Sequence, residues 1–204
     1  IEDLDYRYLD AVTDGKDVSN NSSSYAMVSY FGKVNYAYDE KYLVSGTLRR
    51  DASSRFGNGN NSAIFPSVSA GWRISRENFM ETTSNWLSDL KLRASWGING
   101  NDMIDNSATY SLYYVDMNTG SYNFSGDGKT LSPGVIKTMS GNNNLKWEQT
   151  EQFNIGIDAA FLDNRLGVTM DYFKKKTKDM LIQKPYIAAI GEGGYKWYNA
   201  ASMD

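Results

Sequence analysis

The sequence predicts an all-β fold: a partial antiparallel transmembrane β-barrel of about six strands with long extracellular loops. Three observations carry this. Apolar and polar residues alternate with a period of two through most of the chain, as in half-buried strands. The cleanest apolar faces, Pro66–Ile74, Leu90–Ile98 and Phe153–Phe161, each cover about nine residues, close to the ~9–11 of one tilted bilayer crossing. The connections between strands alternate in length, as they do in barrels with short periplasmic turns and long outer loops.

The first strand sets Val28, Tyr30, Gly32, Val34, Tyr36 and Tyr38 against Ser29, Lys33 and Asn35. A polar turn, Asp39-Glu40-Lys41, leads to Tyr42, Val44, Gly46 and Leu48, opposed by Ser45, Thr47 and Arg49. Beyond the Asp51–Ile64 loop, Pro66, Val68, Ala70, Trp72 and Ile74 share one face, and Ser67, Ser69, Gly71, Arg73 and Ser75 the other. Arg76 to Asp89 reads as a short helical connection. Leu90, Leu92, Ala94, Trp96 and Ile98 then oppose Lys91, Arg93, Ser95 and Asn99. After the polar stretch Gly100–Asn144 come Phe153, Ile155, Ile157, Ala159 and Phe161. A tight turn at Leu162–Arg165 precedes Leu166, Val168, Met170 and Tyr172. Placing Asp39–Lys41 and Asp163–Arg165 in the periplasm puts Asp51–Ile64 and Gly100–Asn144 outside. Aromatic rings at strand ends (Tyr36, Tyr38, Tyr42, Phe161) fit a headgroup-level girdle, though tyrosine is also simply a good strand former.

The expected division is 1–24 as a loop before the strands, 25–182 as barrel strands and loops, and 183–204 as the start of a further extracellular loop. Starting at Ile1 and ending in a polar stretch at Asp204, the chain reads as an internal piece of a longer protein. Six strands cannot close a barrel, because the smallest have about 8, and open edges in lipid would leave backbone groups unpaired. A mean hydropathy of -0.54 does not decide the matter, since alternating strands average to a soluble-looking value.

Composition removes several chemistries. With no Cys and no His, thiol catalysis, Ser–His dyads and the usual zinc sites are excluded, and neither metal nor cofactor is expected. A net charge of -3 opposes a dedicated nucleic-acid surface. The carboxylates Glu148, Glu151 and Asp158 invite a glycosidase reading, but Glu148 and Asp158 lie ten residues apart on one strand face. That is far beyond the ~5–9.5 Å such pairs need, so no catalytic residue and no enzyme are expected. Gly191-Glu192-Gly193-Gly194 lacks the Lys and Ser/Thr of a phosphate loop, and Asp14, Asp17 and Asp127-Gly128 fall short of a calcium loop.

The alternation assigns candidate roles. Val68, Trp72, Leu92, Trp96, Ile155 and Ile157 are expected to face lipid. Lys33, Arg49, Arg73, Lys91 and Arg93 are expected to face the lumen, there to meet a plug or an anionic solute. The loop aromatics Tyr110, Tyr113, Tyr114, Tyr122 and Phe124 are candidates for stacking on substrate or packing on a lid protein, and can also pack the loop on itself. The basic run Lys174–Lys176 with Lys178 can meet lipid phosphates just above the bilayer or form a solvated strand extension. The alternative to a barrel is a soluble all-β carbohydrate-binding module, a sandwich whose strands would alternate in the same way. A β-rich hydrolase is a third reading, disfavoured by the missing His.

Several phrases, in order, resemble the barrel of the SusC/RagA family of TonB-dependent outer-membrane transporters. They are Tyr30-Phe31-Gly32-Lys33-Val34-Asn35-Tyr36, Leu48-Arg49-Arg50-Asp51-Ala52-Ser53-Ser54-Arg55-Phe56-Gly57 and Phe65-Pro66-Ser67-Val68-Ser69-Ala70-Gly71-Trp72-Arg73. Leu90-Lys91-Leu92-Arg93-Ala94-Ser95-Trp96-Gly97, Leu145-Lys146-Trp147-Glu148-Gln149-Thr150 and Asp171-Tyr172-Phe173-Lys174-Lys175-Lys176-Thr177-Lys178-Asp179 follow. The resemblance covers roughly 28 to 182. It implies a barrel of about 22 strands in the outer membrane, plugged by an N-terminal domain and capped by a SusD-like surface lipoprotein. It also implies import of a glycan or peptide energised through the TonB complex, which would engage parts of the protein that have no match in this sequence. Outer-membrane lipid is a further expected partner, and nucleic acid is not.

Overall fold

A computed structural model describes residues 23–57, 59–83, 85–116, 122–124, 126, 132, 134–185 and 194–204. Nine strands form one sheet in these residues: β1 (Met27–Tyr38), β2 (Tyr42–Ser53), β3 (Ser62–Arg73), β4 (Leu87–Asn101), β5 (Leu112–Asp116), β6 (Gly134–Met139), β7 (Glu148–Phe161), β8 (Leu166–Pro185) and β9 (Tyr195–Met203). The order across the sheet is β1-β2-β3-β4-β7-β8-β9-β6-β5, antiparallel except for the single parallel pair Met139↔Tyr195. The six strands read from the alternation are β1 to β4, β7 and β8. A single sheet leaves no second layer to bury the apolar faces, so the described residues do not form a sandwich.

Local chemistry explains the turns. Asp39 (φ 50°) and Glu40 (φ 51°) are both left-handed, and the Lys41 amide donates to the Tyr38 carbonyl at 3.0 Å. Two such residues give a turn whose twist matches right-twisted strands. Leu162, Asp163 and Asn164 repeat this hand at the β7–β8 turn, where Asp and Asn tolerate it better than most residues. The expected helical connection is two 3-10 turns, Ile74–Arg76 and Asn78–Thr83, and β4 begins slightly earlier than read, at Leu87.

The register staggers the strands. Tyr42 pairs with Trp72 and Trp72 with Leu92, which lies five residues into β4, while β7 ends at Phe161 opposite Leu87. Each hairpin is thus displaced along its neighbour, the shear that accompanies tilted strands in a closing barrel wall. The three short connections, 39–41, 74–83 leading to 85–86, and 162–165, gather at one end. There the Arg73 amide donates to the Lys41 carbonyl at 2.8 Å, and Leu162 N to Trp86 O at 3.0 Å.

Two stretches differ from the sequence reading. The long Gly100–Asn144 connection contains β5 and β6, and the segment from 183 onward carries the end of β8 and all of β9. The reason lies at Asp179, left-handed at φ 56°, where the β8–β9 register shifts. A bulge of this kind bends the strand and lets it continue. Beyond it, Leu181, Ile182 and Gln183 find partners in Asn199, Tyr198 and Trp197. Residues 1–22, most of the stretch expected as a leading loop, lie outside the described residues, as do Asp14, Asp17, Asp127 and the run 191–193.

The hydrophobic core sits at the long-loop end rather than in the sheet. Phe56, Phe65, Ile104, Ala108, Leu145 and Trp147 are buried together, with Ala63, Ile98, Leu181 and Trp197 packed against them. Trp147 meets Phe56 at 5.3 Å and Phe65 edge-on at 5.5 Å, and its Nε1 donates to the Asn61 carbonyl at 3.2 Å. Gly100 is required here, because a Cβ would collide with the Phe65 ring.

Candidate functional site

Residues directly opposite across a ladder share a face, and alternate residues switch it. Following the register from β1 to β8 sorts the sheet into two surfaces. Tyr36, Val44, Ala70, Ala94, Ile155 and Tyr172 form one row of the apolar surface, and Tyr38, Tyr42, Trp72, Leu92, Ile157 and Met170 the next. Val68, Trp96 and Phe153 continue it, so all six candidate lipid-facing residues fall on this surface. Much of it is bare: Val34 is 72% exposed and Tyr172 67%, far above a buried core value.

The other surface carries Asn35, Ser45, Ser69, Ser95 and Asn154 in one row. All five candidate lumen-facing cations, Lys33, Arg49, Arg73, Lys91 and Arg93, belong to it. This surface is concave. A hollow of about 490 Å³ includes Asn35, Ser45, Ser69, Lys91, Arg93 and Ser95 in its lining.

The cations differ in what holds them. Arg93 donates to Asp158 from Nε at 2.6 Å and from Nη2 at 2.9 Å, and Nη2 also reaches Asp171 at 3.2 Å. Thr169 Oγ1 donates to the same Asp158 carboxylate at 3.2 Å. Room for the guanidinium comes from Gly156, directly opposite Arg93, where a Cβ would press on Arg93 Nη2 and on the Asp171 carboxylate. Arg49 donates from Nε to Asp51 at 2.6 Å and from Nη2 to Ser29 at 3.4 Å. Lys33, Arg73 and Lys91 form no ion pair among the described residues, and the Arg73 Nε is buried without a hydrogen-bond partner.

The three carboxylates weighed as acids are structural ligands. Glu148 accepts from Asn101 Nδ2 at 3.2 Å and from the Leu181 amide at 3.0 Å. Glu151 accepts from Trp96 Nε1 at 2.8 Å on the apolar surface, away from Glu148 and Asp158. No cluster of acidic residues among the described residues could hold a metal ion.

The loop aromatics stand out into solvent: Tyr110 is 67% exposed and Phe124 81%. Tyr113 and Tyr114 lie on β5 opposite Lys137 and Ile136, on opposite sides of the ribbon. Tyr122 and Phe124 tilt against each other at 5.9 Å. None of the five belongs to the buried cluster below them.

Two polar groups escaped the sequence reading because their members are distant in the chain. At the long-loop end, Asp102 accepts from Tyr25 Oη at 2.9 Å and Ser53 Oγ at 2.7 Å, and lies 3.6 Å from Arg55. Arg55 covers the Tyr25 ring at 4.2 Å and donates to Asn106 at 2.8 Å. At the short-turn end, Glu77 accepts from Tyr42 Oη at 2.7 Å and Trp72 Nε1 at 3.0 Å, with Lys41 at 3.7 Å. These donors, Tyr42 foremost, hold the Glu77 carboxyl below its ordinary value. Tyr38, Tyr42 and Trp72 stack in sequence along this rim at 6.4 and 6.5 Å, and Trp86 stacks on Phe161 at 6.0 Å.

Comparison with known proteins agrees with this geometry. The family described as "TonB dependent receptor-like, beta-barrel" matches residues 2–204. TonB-dependent receptor P3 of Formosa agariphila is 38% identical over 187 residues, 90% of this chain and 18% of that relative. TonB-dependent receptor SusC of Bacteroides thetaiotaomicron is 42% identical over 156 residues, 76% of this chain and 15% of that relative. The solved RagAB peptide transporter superposes with a TM-score of 0.74 at 36% identity, over 87% of this chain and 18% of that one. The siderophore receptor PirA from Pseudomonas aeruginosa shares the fold, with a TM-score of 0.55 at 16% identity. The chain therefore spans under a fifth of the length of the curated relatives it matches. Its two-faced, staggered sheet and these relatives together make it part of the β-barrel of an outer-membrane TonB-dependent receptor of the SusC/RagA family.

Proposed function

We propose that the protein containing this chain imports an oligosaccharide or a peptide across the outer membrane. The chain supplies part of the barrel wall and part of the outer loops. The observation that carries this reading is the sorting of the register into a bare apolar surface and a concave polar one, in a chain 36% identical to a peptide transporter and 42% identical to SusC.

In this reading Val68, Trp72, Leu92, Trp96, Ile155 and Ile157 meet lipid, and the cationic polar surface meets a plug domain. Lys33 and Arg73, which form no ion pair among the described residues, with Lys91, whose nearest carboxylate is its cross-strand neighbour Asp158 already held by Arg93, supply the charge for carboxylates of that plug. Arg49 and Arg93 are already committed to the wall itself. The end holding 54–57, 102–116 and 134–147 faces outside. The exposed rings Tyr110, Tyr113, Tyr114, Tyr122 and Phe124 contact substrate or a SusD-like surface lipoprotein, and TonB energises the cycle through segments outside this chain. The wall performs no covalent chemistry and uses no cofactor; its task is to bind and to conduct.

The test is uptake by the whole protein in its own cell. Deleting the gene abolishes growth on one oligosaccharide or peptide source, and complementation restores it only with TonB present. Replacing Tyr113 and Tyr114 together by Ala weakens solute or lipoprotein binding by up to about tenfold per ring, the scale of a lost aromatic contact. Uptake that is independent of TonB contradicts the reading.

A further inference from the structure

The apolar surface has a cationic upper edge that the import function leaves unused. On β2 the apolar residues run from Tyr42 at the short turn to Leu48, and Arg50 follows eight residues from Tyr42. On β8 they run from Leu166 at its turn to Tyr172, and Lys174 follows eight residues from Leu166. At the turn end the register puts Tyr42 in the row of Met170, four residues beyond Leu166. Counted eight residues on from each turn, Arg50 and Lys174 keep that four-residue offset. The stagger of the strands therefore carries Arg50 and Lys174 to the same height above the turns.

That height has a physical meaning. Eight residues at ~3.4 Å each, on strands tilted by ~40°, climb roughly 20 Å, close to the ~25 Å of a barrel's apolar band. Beside Lys174 in its row stand Phe153, its direct partner, and Trp96, the partner of Phe153. Rings beside long cations are what the headgroup region favours. Lys176 and Lys178, on the same side of β8, are held by Asp204 at 3.0 Å and Glu151 at 3.8 Å. Lys174 and Arg50 are exposed and form no ion pair among the described residues, where Arg50 donates to Ser62 Oγ at 3.3 Å.

We propose that Lys174, with Arg50 at the same height, binds phosphate groups of the outer-leaflet lipid, anchoring the barrel against a phosphorylated saccharolipid such as lipid A. This rests on the proposed orientation, with the long loops outside. Charge complementarity selects the occupant: the edge is positive, it borders the apolar surface, and its two cations form no ion pair among the described residues. An anionic headgroup whose acyl chains lie along Met170, Tyr172 and Ile155 satisfies both halves of the surface.

The experiment uses the full-length protein in mild detergent, exchanged with bisphosphorylated lipid A or its dephosphorylated form, with retained lipid counted by native mass spectrometry. Retention should favour the phosphorylated form and fall about fivefold in Lys174→Glu, the scale of one lysine at a charged membrane surface. Lys175→Glu makes the same charge change one residue away on the opposite surface and should retain lipid as the parent does. Equal loss in both variants, or no loss in Lys174→Glu, overturns the proposal. Full displacement by millimolar inorganic phosphate also overturns it, by showing an anion site indifferent to lipid. Labelling of Met103→Cys on intact cells separates the two readings. Protection of that cysteine from an impermeant maleimide removes the orientation and this site with it. Normal labelling with unchanged lipid retention removes only the lipid site.

Discussion

Arg93 on β4 grips Asp158 on β7 through two hydrogen bonds, 2.6 and 2.9 Å, reaching diagonally past Gly156. Asp171 on β8 completes the set at 3.2 Å, so one guanidinium ties three neighbouring strands on the polar surface. Gly156→Ala should therefore overpack the site and cost about 1–3 kcal/mol. In an Arg93→Ser background the same substitution should cost clearly less, because one of its two clash partners is gone and the other, the Asp171 carboxylate, is released to move aside. Urea unfolding of the full-length protein in lipid vesicles measures both. Additive costs would show that Gly156 matters for some other reason.

The Glu77 clasp makes a pH prediction. Its carboxyl is held below the ordinary 4.5 chiefly by the Tyr42 hydroxyl, then by Trp72. A carboxylate with a depressed folded value contributes stability above its unfolded value and loses it as pH falls through the folded one. The clasp should be intact at neutral pH and weaken below about pH 4.5. Glu77→Gln should remove that acid-range component from the pH profile of the unfolding midpoint. A profile parallel to the parent's would show that the clasp does not couple to folding.

Much of this was legible in the sequence, and the parts that were not share a cause. Period two identified β1 to β4, β7 and β8, because each has one apolar face and the register needs nothing else. It also grouped Lys33, Arg49, Arg73, Lys91 and Arg93 on one side of the strands, and the register gives them one sheet face, since parity alone decides the face. It missed β5, β6 and β9, which pair mainly with each other and with the bulged end of β8. It also missed the loop core. Phe56, Ile104, Ala108, Leu145 and Trp147 come from three separate polar stretches and show no periodicity, though Leu145-Lys146-Trp147 stood out as a family phrase. Which cations pair internally depends on distances that alternation does not encode.

The loop core predicts local rigidity. Trp147→Ala removes the ring between Phe56 and Phe65, a loss of about 3–5 kcal/mol when such a cavity stays open. The cost should fall on the loop end alone. Amide exchange over 102–109 and 140–147 should quicken roughly a hundredfold or more, while the middle of β3 and β4 keeps its protection. Uniform acceleration would mean that the core supports the entire sheet.

Orientation is tested by position. A cysteine at Met103, 78% exposed at the long-loop end, should react with an impermeant maleimide on intact cells. One at Asn164, in the β7–β8 turn, should react only after the outer membrane is opened. The reverse pattern would invert the topology.

The most direct test of the two-surface account is a matched pair of substitutions at adjacent residues of β3 in the full-length protein. Val68 is 48% exposed on the apolar surface, and Ser69 lines the hollow on the polar one. Val68→Arg should cost ~2–4 kcal/mol of folding free energy in lipid vesicles if that surface meets the bilayer midplane. Ser69→Arg should cost far less, because its face meets water or protein. Equal damage at both positions would contradict the account, since only a sheet buried alike on both sides responds that way.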